Sequence, residues 1–185
     1  MPRWRPDFNP DHLYFITTTA VERTPLFQRD VIKRILVDNL NLARILGRIK
    51  PFAFVIMPNH IHVIVRCTED HPVSSFLRDF KSNAAKQIIW QYQAENNRQV
   101  LDQLELAARD LERQTFRVWD DDYVAKEIFT AAFLKQKLEY IHHNPLQAQW
   151  DLVDRPEDYV WSSARFYLLD AHPLIPVSDA RELLA

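Results

Sequence analysis

The order of hydrophobic and polar positions along the chain predicts four strands. Three runs are rich in the aromatic and β-branched residues that favour strands: Leu13–Thr19, Phe52–Ile56 and Val63–Val65. Met57-Pro58-Asn59 contains turn formers, so the second and third runs are predicted to fold back as a hairpin over about 50–66. A fourth strand is predicted at Phe116–Trp119, interrupted by a turn at Asp120–Asp122 and continued by Tyr123–Ala125.

Helical spacing of apolar residues separates these strands. Helices are predicted over 29–46, with Gly47 as the C-cap, from Pro72 through Ile89, and over 130–143 before Asn144-Pro145. A helical excursion is predicted at about 91–115. The order β-α-β-β-α-β-α predicts an α+β, ferredoxin-like sandwich: an antiparallel sheet in βαββαβ order with helices on one face, plus a C-terminal tyrosine-bearing helix.

Composition sets the class of protein. The chain has 185 residues, 47% of them hydrophobic, so we expect one domain over 1–185 with a substantial core. Cys67 is the single cysteine, which excludes an intramolecular disulfide. The first residues, 1–6, contain no apolar signal segment, and no stretch approaches about 18 apolar residues. A soluble, cytoplasmic protein is therefore expected.

Charge is distributed unevenly between the two halves of the chain. Residues 1–90 carry 13 Lys and Arg against 8 Asp and Glu, whereas residues 91–185 carry 10 against 17, within a net charge of -2. We therefore expect a nucleic-acid surface on the first half. The basic candidates on the second helix are Arg78, Lys81 and Lys86, for which ordinary solvated side chains are the alternative interpretation.

His60 and His62 are the first chemical signal. They are separated by one residue in a predicted strand, so both imidazoles project from the same face of the sheet. Two adjacent imidazoles can bind a divalent metal ion. The alternative is that each is a hydrogen-bonded residue of the core.

The last predicted helix carries the second signal. Lys137, Tyr140, His143 and Asn144 have helical spacing, which puts them on one side. A tyrosine can attack a phosphodiester, and the amide oxygen of Asn144 can serve as a neutral metal ligand. Lys137 could contact the phosphate. The alternatives are a half-buried Tyr140 and an Asn144 that only ends the helix, while of His142 and His143 one could support a metal site.

These motifs carry a family resemblance. Pro58-Asn59-His60-Ile61-His62 resembles the HUH motif, and Tyr140–Pro145 resembles the tyrosine motif of single-tyrosine HUH transposases, among which REP-associated tyrosine transposases are the closest match. The resemblance covers roughly residues 10–168 and includes the segments Tyr14–Thr17, Phe80–Ser82 and Trp161–Ser163.

The resemblance implies a specific activity. Mg²⁺ or Mn²⁺ would be held by His60, His62 and Asn144, and Tyr140 would be the nucleophile toward single-stranded DNA, often beside a hairpin. The DNA would be nicked and rejoined by transesterification through a phosphotyrosine link, without a nucleotide cofactor. The protein could act as a monomer or a homodimer, with Tyr140 in its own chain or the partner's.

Two other functions stay open from the sequence. A domesticated nucleic-acid-binding module could keep the sheet without catalysis, which the nearly neutral net charge would suit. A metal hydrolase could activate water on the His pair, as in barrel enzymes, but such barrels typically need about 250 residues.

Overall fold

A four-stranded antiparallel sheet forms the centre of the protein. The computed structural model describes residues 8–112 and 114–184, so the segment 1–6 lies outside the described residues. The strands follow the spatial order β2-β3-β1-β4, with the bounds β1 Leu13–Ala20, β2 Ile49–Ile56, β3 His60–Cys67 and β4 Trp119–Ile128. All three strand pairings are antiparallel.

Helices complete the element order. Their bounds are α1 Asp30–Ile45, α2 Val73–Ala94, α3 Arg98–Leu106, α4 Ala131–His143 and α5 Ala164–Leu169. The βαββαβ order followed by the tyrosine-bearing helix α4 confirms the predicted ferredoxin-like α+β fold. No helix among the described residues combines the length and the apolar character needed to cross a membrane.

Local sequence signals explain where the helices begin and end. Gly47 follows α1 with φ +68°, a conformation that a glycine adopts without steric cost. The Thr130 side chain caps α4 by accepting a hydrogen bond from the Phe133 N–H at 3.2 Å. After His143 the chain tightens into a 3₁₀ turn at Asn144–Leu146, as the Asn-Pro sequence predicts.

The predicted turn at Asp120–Asp122 is wrong, because these residues lie inside β4. The strand is an edge strand, where charged side chains can face solvent. Asp121 forms an ion pair with Arg117 at 2.9 Å, and Asp120 accepts a hydrogen bond from the Glu22 N–H at 3.1 Å. The strand also starts at Trp119 rather than at Phe116.

The helical excursion is shorter than predicted. α2 continues to Ala94, and α3 covers Arg98–Leu106 after an N-cap in which Asn97 accepts from the Val100 N–H at 3.2 Å. The described residues between Leu106 and Trp119 form turns and irregular chain instead of helix.

The two faces of the sheet are covered differently. Alternation along the strands puts Ile16 and Val63 on the face opposite the two histidines, where they share one core cluster with Leu36 of α1 and Phe76 of α2. α4 lies against β2 and β3 on the histidine face. The site is therefore formed where α4 meets the sheet.

The segment after α4 covers the free edge of β2. The Trp161 carbonyl accepts from the Ile56 N–H at 2.9 Å, and the Ser163 N–H donates to the Phe54 carbonyl at 2.9 Å. The Tyr159 hydroxyl donates to the Ile56 carbonyl at 2.7 Å. Unpaired edge groups invite association with other chains, so the Trp-Ser-Ser segment protects this edge.

Candidate active site

β3 places His60 and His62 side by side on one face of the sheet. Their ring centroids are 4.6 Å apart. On the neighbouring strand β1, Thr19 lies opposite His60 and Thr17 lies opposite His62. The i, i+2 spacing thus produces the arrangement that strand geometry requires.

α4 brings Tyr140 to the same face. The Tyr140 ring centroid lies 5.1 Å from that of His62, and the ring packs edge-on against Phe15 at 6.0 Å. Tyr140 is 39% exposed. The Lys137 ammonium lies 5.4 Å from the centre of the Tyr140 ring. The phenol of Tyr140, the Lys137 ammonium and the two imidazoles therefore share one small region.

These side chains line one cleft of about 440 Å³. His60, His62, Lys137, Tyr140 and Asn144, all candidates from the sequence, contribute to its wall. Arg23, Lys126 and Trp150 contribute as well. None of the lining side chains within the described part of the chain is a carboxylate, so the cleft is cationic. A cleft of this kind attracts anions such as phosphate.

Hydrogen bonds fix the tautomer of His60. The Asn59 side-chain N–H₂ donates to the Arg23 carbonyl at 2.9 Å, which orients the amide oxygen toward His60. That oxygen lies 2.7 Å from His60 Nδ1, so Nδ1 carries the proton and donates it. The lone pair of His60 is therefore on Nε2.

His62 and Asn144 carry buried atoms without partners. His62 Nδ1 is hydrogen-bonded to the Thr17 hydroxyl at 2.7 Å. Its Nε2 and the Asn144 Oδ1 are buried, and no group among residues 8–112 and 114–184 hydrogen-bonds to either atom. Buried polar atoms normally have a partner, so an unpaired nitrogen and an amide oxygen point to a ligand.

The imidazoles are neutral at pH 7. Burial lowers the pKa of His60 to about 4, with the Arg23 charge acting in the same direction and the nearby Asn144 side chain opposing it. Burial, together with the His60 and Lys137 charges, lowers the pKa of His62 to about 3. Neutral imidazoles are the form that binds metal.

The donor set fits a divalent ion with neutral protein ligands. Within the described residues, no group of three His, Cys, Asp or Glu side chains is close enough to hold an ion. Two imidazole nitrogens and the Asn144 amide oxygen form a different set, which leaves coordination positions for phosphate oxygens. The hydrogen bonds that join His60 Nδ1 to Asn59 and His62 Nδ1 to Thr17 resemble the outer contacts that orient metal-binding histidines.

The basic candidates of α2 lie outside this cleft. Lys81 donates to the Asp120 carbonyl at 2.5 Å and, with Lys86, lines a separate cavity beside β4. Burial lowers the pKa of Lys81. Arg78 is exposed and bonded to Asp79 at 3.1 Å. Of the four basic candidates only Lys137 borders the cleft.

The neighbouring histidines also lie away from it. His142 is buried and its Nε2 is bonded to the Ser163 hydroxyl at 3.0 Å, which links α4 to the segment covering β2. Exposed His143 is bonded through Nδ1 to the Glu139 carbonyl at 2.9 Å. Neither borders the cleft.

Sequence reasoning missed several cleft residues. The cross-strand pairing of β1 with β3 would have identified Thr17. Arg23 lies in a short 3₁₀ segment after β1 and Trp150 lies in a turn, and neither has a periodic signal. Lys126 and Lys137 both come from the acidic second half of the chain, so two of the three cleft cations oppose the expected distribution of charge.

Comparison with known proteins gives two kinds of similarity. The family model described as "Transposase IS200 like" matches residues 10–144. A solved structure of a REP-associated tyrosine transposase bound to a REP hairpin is similar to this chain at 19% identity, with a TM-score of 0.61, covering 97% of this chain and 93% of that one.

A second structure, from Deinococcus radiodurans R1 and provisionally described as a transposase, shares 19% identity, with a TM-score of 0.44, and covers 77% of this chain and 98% of that one. No curated protein matches the sequence. At 19% identity, the similarity to the REP-associated tyrosine transposase shows the fold.

Proposed function

Because the chain belongs to the IS200-like transposase family, we propose that it nicks and rejoins single-stranded DNA by metal-dependent transesterification. One observation carries the proposal. Tyr140 lies beside His62 in a cationic cleft that also contains His60 and Asn144. A phenol, neutral ligands and cations together suit attack on a phosphodiester.

Tyr140 acts as the nucleophile. Its phenolic oxygen forms a bond to the scissile phosphorus, and the phosphorus-oxygen bond to the departing DNA end breaks. The phenol releases its proton to solvent, and the departing oxygen takes up a proton to become a free hydroxyl. Because the phosphotyrosine keeps the ester bond, a hydroxyl of another strand can reverse the step and join the ends. No nucleotide cofactor is consumed.

A phenol with an ordinary pKa of about 10 is a weak nucleophile at neutral pH, and the phosphate repels it. Mg²⁺ or Mn²⁺, held by His60 Nε2, His62 Nε2 and Asn144 Oδ1, would polarise the phosphoryl oxygens. Lys137 would contact the scissile phosphate, since its ammonium lies 5.4 Å from the Tyr140 ring centre.

The substrate proposed is single-stranded DNA with a hairpin. The REP-associated transposase with the similar fold is described as bound to a REP hairpin. In this chain, Arg23, Lys126 and Lys137 supply cations for the backbone phosphates around the reacting one. Tyr140 meets His62 of its own chain, which supports action in cis, either by a monomer or by each subunit of a homodimer.

The test is formation of a covalent adduct. Protein incubated with Mn²⁺ and a varied pool of hairpin-bearing single strands should give a protein-DNA species stable to denaturing electrophoresis. Tyr140→Phe should abolish it, because the phenyl ring keeps the packing without the nucleophile. Chelation should abolish it as well.

Three results would contradict the proposal. An adduct that survives Tyr140→Phe would indicate another nucleophile. Strand cleavage without an adduct would favour water activation on the His pair. DNA binding without any cleavage by metal-loaded protein would favour the catalytically silent binding module.

A further inference from the structure

Trp150 reaches the cleft from a tight loop after α4. The Gln147 carbonyl accepts from the Trp150 N–H at 2.7 Å and from the Asp151 N–H at 3.0 Å, and the Leu152 N–H donates to the Pro145 carbonyl at 3.0 Å. Asp151 has φ +43°, an unfavourable conformation that these bonds maintain. The loop therefore holds Trp150 against the site at a cost in backbone strain.

The rings in the cleft form a row. The Trp150 ring centroid lies 5.7 Å from that of His60, His60 lies 4.6 Å from His62, and His62 lies 5.1 Å from Tyr140. The nucleophile is at one end of the row and the indole is at the other. A stacked strand advances about 3.4 Å per nucleotide and an extended strand advances further, so the row spans only a few nucleotides.

The two aromatic residues that line the cleft beside Tyr140, Phe15 and Trp150, differ in exposure. Phe15 is 4% exposed and lies beneath His62 and Lys137. Trp150 is only partly buried. Its ring packs against the core cluster, and its buried indole N–H has no hydrogen-bond partner among residues 8–112 and 114–184.

Cations and an aromatic face together are the usual means of holding a single strand. We propose that Trp150 stacks on one base flanking the scissile phosphate and so determines which phosphate meets Tyr140. This inference rests on the proposed function and adds a specificity-determining residue to it. The indole fixes the register of the strand, while Arg23, Lys126 and Lys137 contact the backbone without reading its position.

Binding of abasic strands tests the contact. In a Tyr140→Phe background with Mn²⁺, a hairpin-bearing strand would be compared with a series that lacks one base at a time. Trp150→Leu keeps an apolar side chain but removes the stacking face. We expect it to weaken binding of the intact strand roughly 5- to 100-fold, and to cause little further loss for the strand that lacks the stacked base. Trp150→Phe should retain most of the affinity.

Trp90→Leu is the matched control, because Trp90 is 69% exposed on α2 and does not line the cleft. It should leave both the affinity and the abasic series unchanged. Thermal unfolding of each variant checks that the fold is kept. In protein that retains Tyr140, Trp150→Leu should also spread the covalent link over several phosphates instead of one.

The outcomes separate this inference from the proposed function. If Trp150→Leu weakens binding equally for every abasic strand, or leaves affinity and cleavage position unchanged, the stacking role is wrong even though a Tyr140 adduct still forms. If wild-type protein neither binds single strands nor forms an adduct, the proposed function and this inference both fail.

Discussion

Two cavities of this protein contain the same kinds of cation and differ in what neutralises them. The cleft has Arg23, Lys126 and Lys137 in its wall, and none of these forms an ion pair with a described residue. The second cavity, of about 500 Å³ beside β4, has Lys81, Lys86 and Arg117 together with Asp120 and Asp121.

In the second cavity the protein itself binds two of the three cations, and two carboxylates lie beside them. Arg117 forms an ion pair with Asp121 at 2.9 Å, and Lys81 donates to the Asp120 carbonyl. An anion entering there would have to displace these contacts, whereas an anion entering the cleft would meet cations without carboxylate partners. A count of basic side chains does not distinguish the two regions, but their partners do.

The largest effect should come from the imidazoles, which only the cleft possesses. His62→Ala removes a ligand, so we expect Mn²⁺ affinity to fall by more than about 100-fold, since outer contacts alone are typically worth about 10- to 100-fold. Calorimetric titration measures it. His143→Ala is the control, because exposed His143 lies outside the cleft. Equal losses of Mn²⁺ affinity in the two variants would contradict the assignment of His62 as a metal ligand.

A smaller effect should come from removing the hydrogen bond between Asn59 and His60. Asn59→Ala removes the acceptor that holds the proton on His60 Nδ1, so metal affinity should fall about 10- to 100-fold with little change in stability. Nitrogen chemical shifts of the metal-free protein should show His60 as the Nδ1–H tautomer in wild type and as a mixture in the variant. An unchanged tautomer would show that Asn59 does not hold the proton on His60 Nδ1.

Acid should destabilise the metal-free protein through its buried imidazoles. Burial lowers the pKa of His60, His62 and His142 to about 4, 3 and 4, from an unfolded value of 6.5. Below pH 6.5 the unfolded chain binds protons that the folded chain excludes. The free energy of unfolding should therefore decrease as the pH is lowered, by at most about 1.4 kcal/mol per pH unit for each histidine.

Urea unfolding between pH 7.5 and pH 5 measures this slope. The range stays above the ordinary carboxyl values, such as 4.5 for glutamate, so carboxylates contribute little. His62→Gln should reduce the slope of unfolding free energy against pH by the contribution of one histidine. Stability that stays constant from pH 6.5 to pH 5 would show that these imidazoles are not buried and neutral.

The smallest effect should come from neutralising a single cation, and it should differ between the two cavities. Lys137→Gln should weaken binding of a single strand and lower the slope of log affinity against log salt by about 0.7 to 1, because one phosphate contact is lost. Lys86→Gln in the second cavity should change neither. Equal effects would mean that both regions contact DNA.

Much of the fold could be predicted because its signals are local. Gly47, Thr130 and Asn144-Pro145 mark helix ends through backbone chemistry that needs no distant contact. His60 and His62 share a face because a strand alternates its side chains. The juxtaposition of Tyr140 with His62 followed from the element order and the family resemblance rather than from either segment alone.

The errors concern properties that depend on tertiary context. Three consecutive aspartates predicted a turn, yet an edge strand accommodates them because Arg117 and the Glu22 N–H bind two of them. The charge of each half of the chain predicted the basic surface poorly, because β4 and α4 carry Lys126 and Lys137 into the cleft. Trp150 had no periodic signal because a turn positions it.

The most direct test is to locate the covalent link. Protein incubated with Mn²⁺ and a cleavable hairpin strand would be digested, and the peptides that carry nucleotide mass would be identified by mass spectrometry. We predict that the link is on Tyr140, that it requires the metal, and that His62→Ala removes it. Nucleotide mass on another residue, or a link that forms in the presence of chelator, would contradict the assignment of Tyr140 and the His60/His62 cleft as the reaction centre.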